Sequence, residues 1–229
     1  MTATVTGISS MATRQILTEL SSAYQTTTGQ LASIESVGGV DAAKRVRAGE
    51  PFDIVVLADE AMKQLEADGL LKPGSCTGFA KSAMAVAIPA QASRPDLSSE
   101  ASLRAAVLAA RSIGYSTGPS GTHVLNLLRR WGIEQALSDR LVRASPGVAV
   151  ATLVARGEAE LGFQQLSEFL DVRGIVVAGP LPPEIQSVTL FSCAVCAAAA
   201  NEAGARDLIK YLTSAEADVP KHRYGMEPV

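Results

Sequence analysis

The run Val5-Thr6-Gly7-Ile8-Ser9-Ser10-Met11-Ala12-Thr13 reads as a short apolar strand that stops at two serines and turns at once into a helical pattern. The same order recurs at Ser33-Ile34-Glu35-Ser36-Val37-Gly38-Gly39-Val40-Asp41, at Ile113-Gly114-Tyr115-Ser116-Thr117-Gly118-Pro119-Ser120-Gly121-Thr122 and at Ala144-Ser145-Pro146-Gly147-Val148. A strand that ends in small residues and opens a helix is the building unit of an α/β fold. A helix N-terminus also presents unpaired N–H groups and the positive end of the helix dipole. Small residues let an anion reach that backbone, and Ser or Thr adds a hydroxyl donor. Such turns converging on one cleft would hold a small anion without a metal and with few charged side chains.

Outward from these turns, β-rich apolar runs alternate with helical patterns. Strands are expected at 4–8, 31–37, 53–57, 83–88, 112–115, 161–164, 175–177 and 188–196. Helices are expected at 11–24, 40–48, 60–67, 99–109, 120–131, 148–156 and 203–212. In the second helix Val40, Ala43, Val46 and Arg47 form the expected inward stripe, and Gly49 is its stop. The strands at 83–88 and 188–196 stand apart from this alternation, and both read as crossovers between lobes. The expected architecture is therefore α/β and two-lobed. Residues 1–82 plus 189–229 form lobe 1 and 83–188 form lobe 2, each with a mainly parallel sheet flanked by helices, and a ligand cleft lies between them. The tail Lys221-His222-Arg223-Tyr224-Gly225-Met226-Glu227-Pro228 is polar and is expected to pack only in part.

Composition narrows the partners. Of 229 residues 4% are aromatic, with one Trp, which leaves little stacking surface for sugars or single-stranded nucleic acid. The net charge of −3 supplies no basic footprint for nucleic acid. No stretch approaches the roughly 20 apolar residues that span a bilayer. Met1 is followed almost at once by the first strand, with no basic n-region or cleavage site. As it stands the sequence reads as cytoplasmic, and as periplasmic if a signal peptide has been removed. Cys193-Ala194-Val195-Cys196 has the spacing of a redox or zinc pair, but on a strand residues three apart face opposite sides. These thiols are expected to be buried apolar groups, and neither a metal site nor a cofactor is expected.

The chain resembles the periplasmic molybdate-binding protein family, a branch of the type II periplasmic-binding-protein fold. The resemblance rests on Ser9-Ser10, on Arg47-Ala48-Gly49-Glu50-Pro51-Phe52-Asp53-Ile54-Val55-Val56-Leu57-Ala58-Asp59 and on Gly118-Pro119-Ser120-Gly121. It extends to Leu161-Gly162-Phe163 with the polar pair after it, and to Arg223-Tyr224-Gly225-Met226. It implies a ligand held between two lobes by Ser hydroxyls and backbone N–H groups, at Ser9 or Ser10, Gly38–Gly39, Ser120, the turn Gly147–Val148, and Gln164–Gln165. It also implies an ABC transporter permease as partner if the protein is exported. Two positions depart from the family's pattern. The second loop offers Gly38-Gly39 where the family usually has a Ser hydroxyl, and Gln165 stands where it often has a Tyr. Both changes weaken a site for a compact tetrahedral oxyanion. They make room for a small organic acid, to which a Gln amide can donate. The same fold branch includes the aconitate isomerases, which act on an unsaturated tricarboxylate.

Each candidate also has a plainer reading. Ser9, Ser10 and Thr13 suit a helix cap, Gly38 and Gly39 suit a turn with positive φ, and Ser116 and Thr117 suit the turn at Gly118-Pro119. Arg14, in a first helical turn, opposes the dipole unless it is solvated or meets a carboxylate ligand. Lys81 reads as a surface lysine or a cleft cation. His123 and Glu168 are the candidate bases for a 1,3-proton transfer along an unsaturated acid, with a structural histidine as the alternative for the former. Asp41 reads as a dipole partner.

Overall fold

Apolar runs flanked on both faces by amphipathic helices dictate the architecture of the computed structural model, which describes residues 3–145 and 147–229. In chain order the elements begin with β1 (Val5–Ser10), a 3-10 turn (Met11–Thr13), α1 (Arg14–Thr28), β2 (Ala32–Val37) and α2 (Gly39–Arg47). Next come β3 (Ile54–Ala58), α3 (Asp59–Ala67), β4 (Thr77–Pro89), α4 (Glu100–Ala109), β5 (Ile113–Tyr115) and α5 (Pro119–Arg130). β6 (Leu141–Arg143), α6 (Val150–Ala155), β7 (Leu161–Gln165), β8 (Ile175–Pro180) and β9 (Val188–Val195) follow, and α7 (Glu202–Leu212) and α8 (Asp218–Arg223) close the chain. The chain divides into two units, Met1–Ser82 with Thr189–Val229, and Ala83–Val188.

In the first unit β1 pairs in parallel with β2 and with β3, and β3 pairs antiparallel with β9. Strand order is β2-β1-β3-β9-β4. One face buries Ile16, Leu17 and Leu20 of α1 with Leu208 and Leu212 of α7. The other buries Ala42, Ala43 and Val46 of α2 with Met62 and Leu65 of α3. Because both faces are covered, β3 is apolar at nearly every position instead of alternating. The inward stripe of α2 runs through Ala42, not through Val40 or Arg47, which are exposed. Gly49 ends that helix as expected, at φ +78, donating to the carbonyl of Val46.

In the second unit β5 pairs in parallel with β6 and β7, while β4 pairs antiparallel with β7 and β8. Leu103 and Val107 of α4 and Val124, Leu127 and Leu128 of α5 cover one face. Val150, Ala151, Leu153 and Val154 of α6 cover the other. Trp131, just past α5, donates its ring N–H to Glu100 at 2.6 Å and ties α5 to α4.

Several expected boundaries move. The first helix is a 3-10 turn followed by α1, which runs on to Thr28. The long strand expected at 83–88 starts at Thr77. The three-residue β6 and the helix α8 had no expected counterpart. The tail is anchored, not loosely packed. Lys221 is 2% exposed, with its ammonium 3.2 Å from Asp218 and over the face of Phe79, and Met226 is fully buried. Glu227 pairs through its main chain with Lys81. Cys193 and Cys196 fall in opposite-face clusters, and burial pushes each thiol up to about 12.

Asp53, 2% exposed, fastens the first unit together. One carboxylate oxygen accepts the N–H of Thr6 at 2.8 Å and its hydroxyl at 3.0 Å, and the other accepts the N–H of Asn201 at 2.8 Å. Asp53→Ala orphans two backbone donors and should lower the unfolding free energy by about 3 kcal/mol in urea titrations. Asp53→Asn should show roughly half that loss, because an amide keeps one accepting oxygen.

Candidate functional site

At the C-terminal ends of parallel strands the chain turns outward into helices, and there the first unit presents Ser9, Ser10, Gly38 and Gly39. Successive strand residues face opposite sides, so the two serines have different environments. The Ser9 hydroxyl is 2.7 Å from that of Ser36 and joins β1 to β2. The Ser10 hydroxyl is buried and has no hydrogen-bond partner among the described residues, in a residue only 8% exposed. An unpartnered buried hydroxyl costs about 1–3 kcal/mol.

Gly38 and Gly39 lie beside it. Gly38 precedes α2 at φ −56, and neither glycine has a positive φ, so the backbone does not require glycine here. A Cβ on Gly39 would meet one atom within 4 Å, the Cβ of Ser10, at an ordinary 3.6 Å. The N–H groups of Gly39, Val40 and Asp41 belong to the first turn of α2, whose first intrahelical bond is Ala42 to Gly38. An unsatisfied hydroxyl, free space and the positive end of a nine-residue helix thus adjoin one another. Thr13 donates to the Ser10 carbonyl at 3.1 Å, and Arg14 opens α1 with its side chain exposed. Asp41 is in the first turn of α2, 3.9 Å from Lys44.

The second unit builds its turn more tightly. Ser120 is buried, with its hydroxyl 2.8 Å from that of Ser116, which also accepts the N–H of Gly118 at 3.2 Å. A Cβ on Gly121 would sit 1.7 Å from the Ser116 carbonyl oxygen, so this glycine is imposed by close backbone approach. The amides of Ser120 and Gly121 lie in the first turn of α5.

At the other expected contacts the protein supplies its own partners. The N–H of Val148 donates to the Ser145 carbonyl at 2.9 Å, and Pro146 of that turn lies outside the described residues. Gln164, 3% exposed, accepts the N–H of Val150 at 2.9 Å through its carbonyl oxygen and donates its NH2 to Glu168. The start of α6 is therefore capped by a side chain of this chain. Gln165 is buried at the end of β7. Glu168 keeps some residue surface while its carboxyl group is enclosed, and burial, opposed only by the Gln164 hydrogen bond, pushes it up to about 8. His123 is half-buried on α5, with Nε2 2.8 Å from the Ile185 carbonyl oxygen. That oxygen can only accept, so Nε2 carries a hydrogen and the ring is tethered. Among the described residues no group of three or more His, Cys, Asp or Glu is placed to hold a metal, and no helix is long and apolar enough to cross a membrane.

Known proteins share this family and fold. The family model for a bacterial extracellular solute-binding protein matches residues 5–227. An aconitate isomerase from Pseudomonas sp. is 32% identical, over 99% of this chain and 88% of that protein. The periplasmic molybdate-binding protein of Azotobacter vinelandii superposes with a TM-score of 0.82 at 20% identity, over 97% and 98% of the two chains. AgtB from A. tumefaciens R10 in complex with agropinic acid superposes with a TM-score of 0.78 at 16% identity, over 100% and 83%. These superpositions show the type II binding-protein fold.

The two glycines should respond oppositely in thermal melts. Gly39→Ala should stay within about 0.5 kcal/mol of the parent, whereas Gly121→Ala should cost about 3 kcal/mol through its clash with backbone. Glu168 sets a pH dependence. In the unfolded chain its carboxyl ionises from pH 4.5, whereas in the folded one it holds its proton to about 8. Its contribution to stability is full below the first value and is lost as pH rises toward the second, at up to about 1.4 kcal/mol per pH unit. Glu168→Gln should flatten that part of the stability–pH curve in urea titrations.

Proposed function

The chain belongs to the bacterial extracellular solute-binding protein family, and from that premise we propose that it binds a small organic di- or tricarboxylate. The observation that carries this reading is the Ser10 hydroxyl, buried and unpartnered beside the open space at Gly39. A solute carboxylate there would accept from Ser10 and from the first-turn amides of α2. In the second unit, taken by itself, the first turn of α5 at Ser120 and the polar end of β7 at Gln165 are the candidate solute contacts. Arg14 supplies a cation near the first of these sets. Val148, Gln164 and Ser9 hold the local turns and strands of their own units, since their polar groups already have partners. The family's extracellular description supports work outside the cytoplasm, handing solute to an ABC transporter permease.

A second reading is favoured by the aconitate isomerase relative: the same site moves a double bond in an unsaturated tricarboxylate by 1,3-proton transfer. One base removes a proton from carbon and returns it two atoms away, while oriented N–H groups stabilise the intermediate oxyanion. The candidate bases are Glu168, whose carboxyl is enclosed and bonded by Gln164, and His123, whose ring is tethered to Ile185. Molybdate or tungstate is the competing solute.

Thermal-shift assays against molybdate, tungstate, sulfate, glutarate, tricarballylate and both aconitates test the binding reading. A carboxylate should raise the melting temperature, and a rise with molybdate alone would reject it. Ser10→Ala should weaken solute binding about tenfold without lowering the stability of the free protein, whereas Ser9→Ala should cost about 1 kcal/mol of stability. Proton NMR of cis-aconitate with the enzyme decides the second reading, which predicts the appearance of the trans isomer.

A further inference from the structure

The last two residues of β7 face opposite sides of the second unit's sheet and have different tasks. Their partners on β4 show which way each turns. Met84, opposite Gln165, belongs to the core on the α5 side, and Ala85, opposite Gln164, to the core on the α6 side. Gln164 therefore lies under α6, where its carbonyl oxygen accepts the Val150 N–H at 2.9 Å and its NH2 donates to Glu168. Gln165 turns the other way, on the same face as Phe163 and α5. Tyr115, the last residue of β5, is level with Phe163, so Gln165 stands two residues beyond that strand, at the end of the sheet where α5 begins.

The bond from Gln164 to Glu168 closes a ring over Gln165. It spans four positions, and the 3-10 turn Leu166–Glu168 inside it takes Gln165 as its N-cap, at φ −60 and ψ 141. Because the Gln164 amide is held at both ends, the end of β7 is pinned, and with it the direction in which the Gln165 side chain leaves the chain. Nothing around the Glu168 carboxyl offers a charge. The strands β7 and β8, the helix α6 and the stretch of β4 from Ala83 to Pro89 carry no ionisable side chain. Arg143 at the end of β6, and Asp171 and Arg173 after the 3-10 turn, are exposed. Burial alone therefore keeps the proton on Glu168 up to about 8, opposed by the Gln164 bond. In that form its carbonyl oxygen accepts from Gln164 with no charge in the enclosure. An ionised Glu168 has to reach water, which the closed turn denies it.

We propose that Glu168 is a positioning residue for the solute contact at Gln165, acting through Gln164, and that one proton on its carboxyl keeps that contact in place. This rests on the reading of Gln165 as a solute contact and adds to it a regulation: solute is held at neutral pH and released in alkali.

NMR of the solute-free protein with labelled glutamine tests the positioning directly. The side-chain NH2 signals of Gln164 and Gln165 should shift together with a midpoint of about 8, and neither should titrate in Glu168→Gln. If Gln164 moves while Gln165 stays still, Glu168 serves only the cap of α6 and the inference is overturned. Titration calorimetry with glutarate, which stays ionised above about pH 7, reads the consequence. The parent should bind about tenfold more weakly at about pH 9 than at about pH 7, when only about a tenth of the molecules keep the proton. Glu168→Gln, a neutral acceptor that cannot ionise, should lose that pH dependence. Glu168→Ala, with no acceptor, should bind weakly at every pH while its circular dichroism remains that of the folded protein. An affinity that does not fall with pH, or a fall that persists in Glu168→Gln, overturns the inference and leaves the carboxylate reading standing. If glutarate fails to bind at any pH, that reading fails for this acid, and the two amide signals still decide the positioning.

Discussion

The first unit depends on one carboxylate. Asp53 sits just before β3 and accepts from Thr6 of β1 on one side and from Asn201, the N-cap of α7, on the other. Its own main chain continues the pattern, donating to the Thr6 carbonyl and accepting the N–H of Cys196 at 2.9 Å each. These bonds fix how β1, β3 and β9 align. Alignment matters because side chains alternate along a strand, and a slip of one residue would exchange every inward and outward position. The difference between Ser9, which joins two strands, and Ser10, which lacks a partner, exists only in that register.

The strand ends differ in a way that separates folding from function. At Ser120 and Gly121 the turn is closed on itself by hydroxyl pairing and by a carbonyl that leaves no room for a Cβ. At α6 the chain supplies Gln164 as its own cap, held in orientation by Glu168. Among the described residues the Ser10 hydroxyl has no partner, and a Cβ on Gly39 would meet only Ser10, although folding alone would favour a paired hydroxyl and a filled space. A position where local stability is forgone, inside a unit otherwise well satisfied, is where a ligand's contribution is expected.

Much of the architecture was legible because it follows from patterns a sequence carries openly. Apolar runs ending in Ser or Gly marked the parallel strands, and Gly49 marked a helix end whose φ only glycine adopts easily. What escaped was set by partners distant in sequence. β6 is three residues long and has no periodicity to detect. α8 contains Pro220, and its Lys221 is buried only because Phe79 and Asp218 receive it. At the site, sequence brought forward Ser9 and Ser10 together but could not choose between them, since the choice lies in the strand's facing. Val148 and Gln164 carry the right donors, yet their engagement by Ser145, Val150 and Glu168 is a matter of geometry.

The distribution of rare side chains has a practical consequence. Cys76, Cys193 and Cys196 all belong to the first unit, and the single Trp131 belongs to the second. The thiols of Cys193 and Cys196 are buried and held protonated, so they become nucleophilic only when the first unit opens. The indole of Trp131 loses its bond to Glu100 when the second unit opens. Thiol trapping and tryptophan emission therefore report on different halves of the same unlabelled chain, and the interval between the two signals measures how cooperatively those halves unfold.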